Sequence, residues 1–263
     1  MTGYVKNTLF LVLFALSISV LPARATVVEV QTVLGNFQVN LFDSHTPKTV
    51  ENFLGYVNSG AYYNNVVHRS APDFVIQAGG FTYNDDFPLD PVSKGQPVIN
   101  EPELSNVRGT LAMAKTAGNP DSATSEWFIN LADNSANLDI QNGGFTVFGQ
   151  VLGDGMDIVD AIAQLQTYNA GGAFTEIPLR DYAGAQETIS EENLVLITDV
   201  VVIDANTDTH PELQPVVNTL IDTVADNNDA DSGGSIGNAL WWLLALTILR
   251  VSPVALRYHR TRA

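Results

Sequence analysis

Arg69 sits among apolar, strand-like residues, and Gln77 follows it across Pro72 and Asp73. With the two-residue period of a strand, Arg69 and Gln77 face the same way on either side of a turn centred on those two residues. A guanidinium is always charged and presents a rigid fork of donors, so an arginine fixed among apolar residues can hold a carbonyl or stabilise electron density that localises on a bound molecule. Composition alone would make Arg69 an ordinary surface residue, because long charged side chains usually reach solvent. Other chemistries find no support. His45, His68, His210 and His259 are scattered without ligand spacing, neither G-x-S-x-G nor H-E-x-x-H occurs, and no Gly-Gly pair is followed by the Lys-Ser or Lys-Thr that would cradle phosphate. The chain has no cysteine, which excludes thiolate catalysis, disulfides and cysteine-held zinc or iron-sulfur sites.

Short strands must carry these residues. Val28, Val30 and Thr32, then Phe37, Val39 and Leu41, alternate with polar neighbours around Leu34, Gly35 and Asn36, which predicts a hairpin. Thr46 as N-cap, Pro47 at the first helical position, and Val50, Phe53, Leu54 and Val57 at helical spacing before Gly60 predict an amphipathic helix. Further strands are predicted over 65–69, 74–78, 109–114, 127–131, 145–151 and 194–203. A second helix begins near Asp154 and runs through Met156, Ile158, Val159, Ile162 and Leu165. Many short strands with two helices predict a mainly β fold: a closed eight-stranded antiparallel barrel capped by two α-helices.

The 263 residues carry 12 Lys and Arg against 29 Asp and Glu, and the two ends of the chain hold six of the basic residues and no acidic one. The middle, with 6 basic and 29 acidic residues, has a net charge of −23. That excludes general nucleic-acid binding and adhesion to anionic headgroups, both of which need clustered cations. Lys6, the apolar run 9–20 and Ala23-Arg24-Ala25 predict a signal peptide over 1–25, since the run is too short to span a bilayer. The domain then covers 26–204, and an acidic flexible linker 205–232. Ser232-Gly233-Gly234-Ser235, an apolar stretch over 236–249 and a basic end at Arg257, Arg260 and Arg262 resemble a GlyGly-CTERM sorting tail over 233–263. That resemblance implies a rhomboid-like processing protease. An uncut anchor over 236–256 is the alternative.

The segment His68-Arg69-Ser70-Ala71-Pro72-Asp73-Phe74-Val75-Ile76-Gln77-Ala78-Gly79-Gly80 resembles the F-H-R-x-x-x-x-F-x-x-Q-G-G-D core of the cyclophilins, peptidyl-prolyl cis/trans isomerases. Gly109 to Lys115, continuing through Ser125-Glu126-Trp127-Phe128-Ile129-Asn130, is similar to that family's second block. Asn137-Leu138-Asp139 with Phe145-Thr146-Val147-Phe148-Gly149 is similar to the third. Pro47-Lys48-Thr49-Val50-Glu51-Asn52-Phe53 resembles its helix. The matches come in family order across 26–204.

The resemblance implies that Arg69 is catalytic, that Gln77 orients it, and that Phe74, Val75, Phe128, Leu138 and Phe145 line the slot for a proline ring. Met113, Ala114, Glu126 and Asn137 complete the substrate site, and the backbone of Lys115 pairs with the peptide while its side chain is solvated. Phe145, Trp127 and Val75 depart from the commonest family residues. Asn137 stands where the family often has a tryptophan associated with cyclosporin binding. Glu126 replaces a glutamine, a charge expected to pair with Arg69. No cofactor or metal is implied. The expected partners are proline-containing peptides and unfolded exported proteins, acted on by a monomer in the periplasm, at the cell surface or in the medium. A proline-peptide binding module or holdase, with catalysis damped by Glu126, and a structural surface protein are the alternatives.

Overall fold

The computed structural model describes residues 26–184, 187–206 and 209–222. The signal segment 1–25, the sorting tail 233–263 and the linker beyond 222 therefore lie outside the described residues. The first hairpin forms as β1 (Val27–Thr32) and β2 (Gly35–Leu41), joined through Val33 and Leu34, one residue earlier than predicted. The Thr32 hydroxyl closes the turn by donating to the Gly35 carbonyl at 2.6 Å, and Gly35 takes φ +130°, a value only glycine holds without strain.

Helix α1 (Pro47–Asn58) starts where Pro47 predicts, but the Thr46 hydroxyl makes no cap. The carboxylate of Glu101 serves instead, accepting from the N–H groups of Lys48 at 3.3 Å and Thr49 at 2.9 Å. An anion at a helix N-terminus satisfies free donors and the positive end of the dipole. The chain continues through β3 (Asn65–Val66), β4 (Arg69–Ala71), β5 (Val75–Ala78), β6 (Phe81–Thr82), β7 (Asp90–Pro91), β8 (Thr110–Met113) and β9 (Trp127–Asn130). A single helical turn, α2 (Ser135–Leu138), precedes β10 (Val147–Val151) and α3 (Gly155–Ala163), and β11 (Thr167–Tyr168), β12 (Ile177–Pro178) and β13 (Leu196–Asp204) complete the order.

Eleven of these strands form one antiparallel sheet in the order β4-β5-β9-β8-β10-β2-β1-β13-β3-β6-β7, and β11 pairs with β12 beside it. The run predicted as one strand over 65–69 is two, because the chain changes partners in its middle. The Val67 N–H donates to the Val195 carbonyl at 3.0 Å, and the His68 N–H donates to that of Gln77 at 3.1 Å. The sheet curls around a core that includes Val28, Val39, Phe53, Tyr62, Trp127, Ile129 and Phe148, covered by α1 and α3. A separate cluster of Phe174, Ile177 and Leu179 seats the segment carrying β12 against Val66 and Leu196.

The acidic stretch from 205 departs from the solvated linker expected there. The Thr209 hydroxyl donates to Asn40 at 3.1 Å, Val217 forms a bridge with Leu104, and Asn218 is buried. Local composition predicts solvation, and backbone pairing with the segment around buried Leu104 and Ser105 overrides it for these few residues.

Candidate active site

Strand parity builds the site. In β5, Ile76 and Ala78 join the inner core, so Val75 and Gln77 face outward. In β9, Trp127 and Ile129 point in and Phe128 points out; in β8, Leu111 and Met113 point in, Ala112 and then Ala114 out. The ladder aligns Arg69 with Gln77, Gln77 with Phe128, Phe128 with Ala112, and Ala112 with Val147. Arg69 thus begins a row on the outer face that leads, at about 4.8 Å per strand, into an apolar cluster. That cluster gathers Val75, Ala114, Phe128, Leu138 and Phe145 with Phe42, Leu104, Ala112 and Val147, and half-buried Phe74 packs against it. The rings of Phe128 and Phe145 meet edge to face, 5.9 Å between centroids.

Met113 is absent from this group. It is buried with Trp127 inside the curl, because it is out of phase with Ala112 and Ala114. Asn137 lies on α2 with its residue exposed at the edge.

Buried amides fix the backbones that carry the aromatic residues. Asn134 Nδ2 donates to the Phe74 carbonyl at 2.9 Å and to Asn130 Oδ1 at 2.7 Å, and Asn130 donates to Thr110 at 2.9 Å. Asn106 Nδ2 donates to the Phe145 carbonyl and to the Asp139 carboxylate, both at 3.0 Å. These bonds are nearly out of water, so each lost partner leaves a costly unsatisfied group. The asparagines gave no sequence signal beyond their spacing in polar loops.

The guanidinium of Arg69 is largely enclosed. Its Nε donates to Glu176 Oε2 at 2.9 Å, and Nη1 is buried with no hydrogen-bond partner among the described residues. Glu176 arrives because its backbone joins the free edge of β4, its carbonyl accepting from the Ser70 N–H at 2.8 Å. The expected pairing of Arg69 with Glu126 is not what the structure contains. Glu126 Oε2 accepts from Gln77 Nε2 at 2.9 Å, and its neighbouring cation is Lys94, at 3.8 Å. Burial raises the Glu126 pKa, against the opposing effects of Lys94 and Gln77. Gln77, expected to orient Arg69, faces it across the ladder with its amide held by Glu126.

His68 also lies near Glu126, at 3.7 Å, but burial pushes its pKa down to about 3, helped by Arg69, so the ring is neutral at ordinary pH. Lys115 contradicts the expectation of a solvated side chain. Its ammonium donates to the carbonyls of Asn142, at 3.0 Å, and Gly144, and lies 4.8 Å from the centre of the Phe145 ring. Burial lowers its pKa to about 8, opposed by Asp121.

An outward-facing apolar cluster beside one tethered guanidinium places aromatic and aliphatic walls next to a fixed cationic donor. The family model for cyclophilin type peptidyl-prolyl cis-trans isomerases matches residues 27–182, and the chain belongs to that family. It is 43% identical to a peptidyl-prolyl cis-trans isomerase of Acinetobacter baylyi over 164 residues, 61% of this chain and 84% of that one. It is 38% identical to peptidyl-prolyl cis-trans isomerase B of Escherichia coli over 163 residues, 60% and 95% of the two chains. A crystal structure of a Cryptosporidium parvum cyclophilin type isomerase superposes with a TM-score of 0.51 at 23% identity, covering 69% of this chain and 99% of that one. A second crystal structure of that protein, in the presence of the dipeptide Ala-Pro, gives 0.50 at 24%, covering 68% and 99%.

Proposed function

We propose that Arg69 is the group that accelerates X-Pro rotation in this chain, on peptides whose proline ring enters the slot of Phe74, Val75, Ala114, Phe128, Leu138 and Phe145. The observation that carries the reading is a guanidinium held at Nε by Glu176, so that its terminal nitrogens lie outside that tie, on the outer face whose row leads into that cluster. An X-Pro bond turns slowly because amide resonance sets a barrier of about 18–20 kcal/mol. As the amide twists, the nitrogen lone pair localises and becomes a better hydrogen-bond acceptor. A donor held by the protein at that nitrogen interacts more strongly with the twisted amide than with the planar one, which lowers the barrier. The slot seats the ring out of water, and the Lys115 backbone pairs with the peptide before it. The ligand class accords with the Cryptosporidium parvum structure obtained with Ala-Pro.

The damped-catalysis alternative rested on Glu126 restraining Arg69, and Glu126 is engaged by Gln77 and Lys94. The sheet is read as a closed barrel of eight strands, counting 65–71 as one: this run pairs with β13 through Leu196↔Val66 and with β5 through Arg69↔Gln77. The segments at both chain ends support export, with delivery by 1–25 and processing by a rhomboid-like protease at Gly233-Gly234, and in this reading a monomer acts on exported proteins. Two measurements test the reading. The purified chain is expected to accelerate isomerisation of short X-Pro peptides, and no acceleration would refute it. Mass spectrometry of the native protein is expected to show a start near Thr26 and an end near Gly233; intact ends would refute processing.

A further inference from the structure

Beyond the family match, which ends at residue 182, the chain returns to the rim of the apolar slot. The Val216 carbonyl accepts from the Ser105 N–H at 2.8 Å, Val217 forms an antiparallel bridge with Leu104, and the Asn218 N–H donates to the Glu103 carbonyl at 2.8 Å. The side chain of Asn218 is fully used. Its Nδ2 donates to the carbonyls of Pro102, at 3.1 Å, and Asp139, at 2.9 Å, and its Oδ1 accepts from the N–H groups of Leu220 and Ile221, at 3.0 and 3.2 Å. Asn218 is only 4% exposed, in a stretch whose composition favours solvent.

The two carbonyls that Asn218 joins belong to the slot's frame. Leu104 and Leu138, close to Pro102 and next to Asp139 in the chain, are both fully buried members of the apolar cluster. The Asp139 carboxylate accepts from the Ser105 hydroxyl and from the Asn106 N–H, the latter at 2.7 Å, and Asn106 holds the Phe145 carbonyl. The Phe145 N–H donates to Leu138 O at 2.8 Å. Gly144 packs so closely here that a Cβ would stand 2.7 Å from the Asp139 carbonyl oxygen and 2.8 Å from Pro102. Removing the Asn218 amide strips a donor from two carbonyls and frees two segments that carry slot walls.

We propose that residues 216–218 are a working part of the proline site, and that Asn218 is a positioning residue that holds the wall formed by Leu104, Leu138 and Phe145. The proposal rests on the isomerase reading. Arg69 stands on β4, outside this frame, so loosening the wall weakens binding of the ring more than it slows the twist. The test uses the full chain. Asn218→Ala is expected to raise KM for an X-Pro peptide several-fold, leave kcat within about twofold, and speed amide hydrogen exchange in 102–106 and 138–145. Asn218→Asp, which turns both donors into an oxygen facing the two carbonyls, is expected to raise KM at least as far, and circular dichroism and thermal melts of both variants guard against one that fails to fold. Thr209→Val, which removes the tail's bond to Asn40, is expected to leave KM unchanged. Wild-type KM in both Asn218 variants, with or without lowered thermal stability, would overturn the proposal, as would unchanged exchange. A wild-type chain without isomerase activity would overturn the isomerase reading and the proposal with it, while the exchange data would still report whether the strap exists.

Discussion

Glu176 holds Arg69 twice over: its carboxylate accepts from Nε at 2.9 Å, and its carbonyl accepts from the N–H of the next residue, Ser70, at 2.8 Å. The side-chain tie and the backbone tie together fix where the guanidinium stands relative to its own strand. Because the tie uses Nε, both terminal nitrogens remain outside it.

Cutting the carboxylate tie should therefore cost rate and spare affinity. Glu176→Ala is expected to lower kcat roughly five-fold, because a misplaced reacting group loses part of its oriented advantage, with KM nearly unchanged. Glu176→Gln keeps an oxygen that can accept from Nε and should retain most of the activity. Steady-state kinetics of both variants on an X-Pro peptide make the comparison, and equal losses would show that charge, not position, matters.

Glu126→Gln should leave turnover near wild type, since Glu126 does not pair with Arg69, in contrast to the several-fold rise that pairing with Arg69 would give. Its effect falls on stability. Burial raises the folded pKa above the unfolded value, so the native state holds the proton more tightly, and the associated stability is present in acid and lost as pH rises through the folded pKa. The variant cannot ionise at this position. Its melting temperature should match wild type near pH 4 and exceed it at pH 7, and a gap independent of pH would contradict the account.

Strand parity in the sequence put Arg69 and Gln77 on one face, as the ladder does, whereas Phe74, Val75, Phe128, Leu138 and Phe145 were reached only through the resemblance of their blocks to a family. Met113 came from the same block match, which does not state which face each residue takes, and the ladder separates it from Ala112 and Ala114. Glu176 was illegible. It meets Arg69 across 107 residues by joining a free sheet edge, and no pattern marked 166–193. Asn218 was hidden by its acidic surroundings, and Lys115 by the rule that lysines reach water, which fails where carbonyls and a ring face fill its surroundings.

Lys115 gives the site an alkaline limit. Its folded pKa of about 8 lies below the ordinary lysine value, so the native state sheds the proton first; burying the charge costs stability below pH 8, and that cost is relieved as pH rises toward 10.5. Binding runs the other way. Neutral Lys115 loses its charge-assisted bonds to the loop that carries Phe145, so KM should rise as pH passes 8. Lys115→Met should abolish that inflection, and a variant that keeps it would assign the inflection elsewhere.

Cyclosporin should bind weakly, because exposed Asn137 offers neither the area nor the N–H donor of an indole. Asn137→Trp is expected to tighten binding in titration calorimetry. Nanomolar affinity in the wild type would contradict this.

In this proposal Arg69 acts on the twisting amide. Arg69→Ala, assayed beside wild type with a fold check by circular dichroism, measures it most directly. The variant's kcat is expected to fall on the order of 10²-fold, about 2.7 kcal/mol, with peptide affinity little changed. A folded Arg69→Ala variant that turns over at the wild-type rate would contradict it.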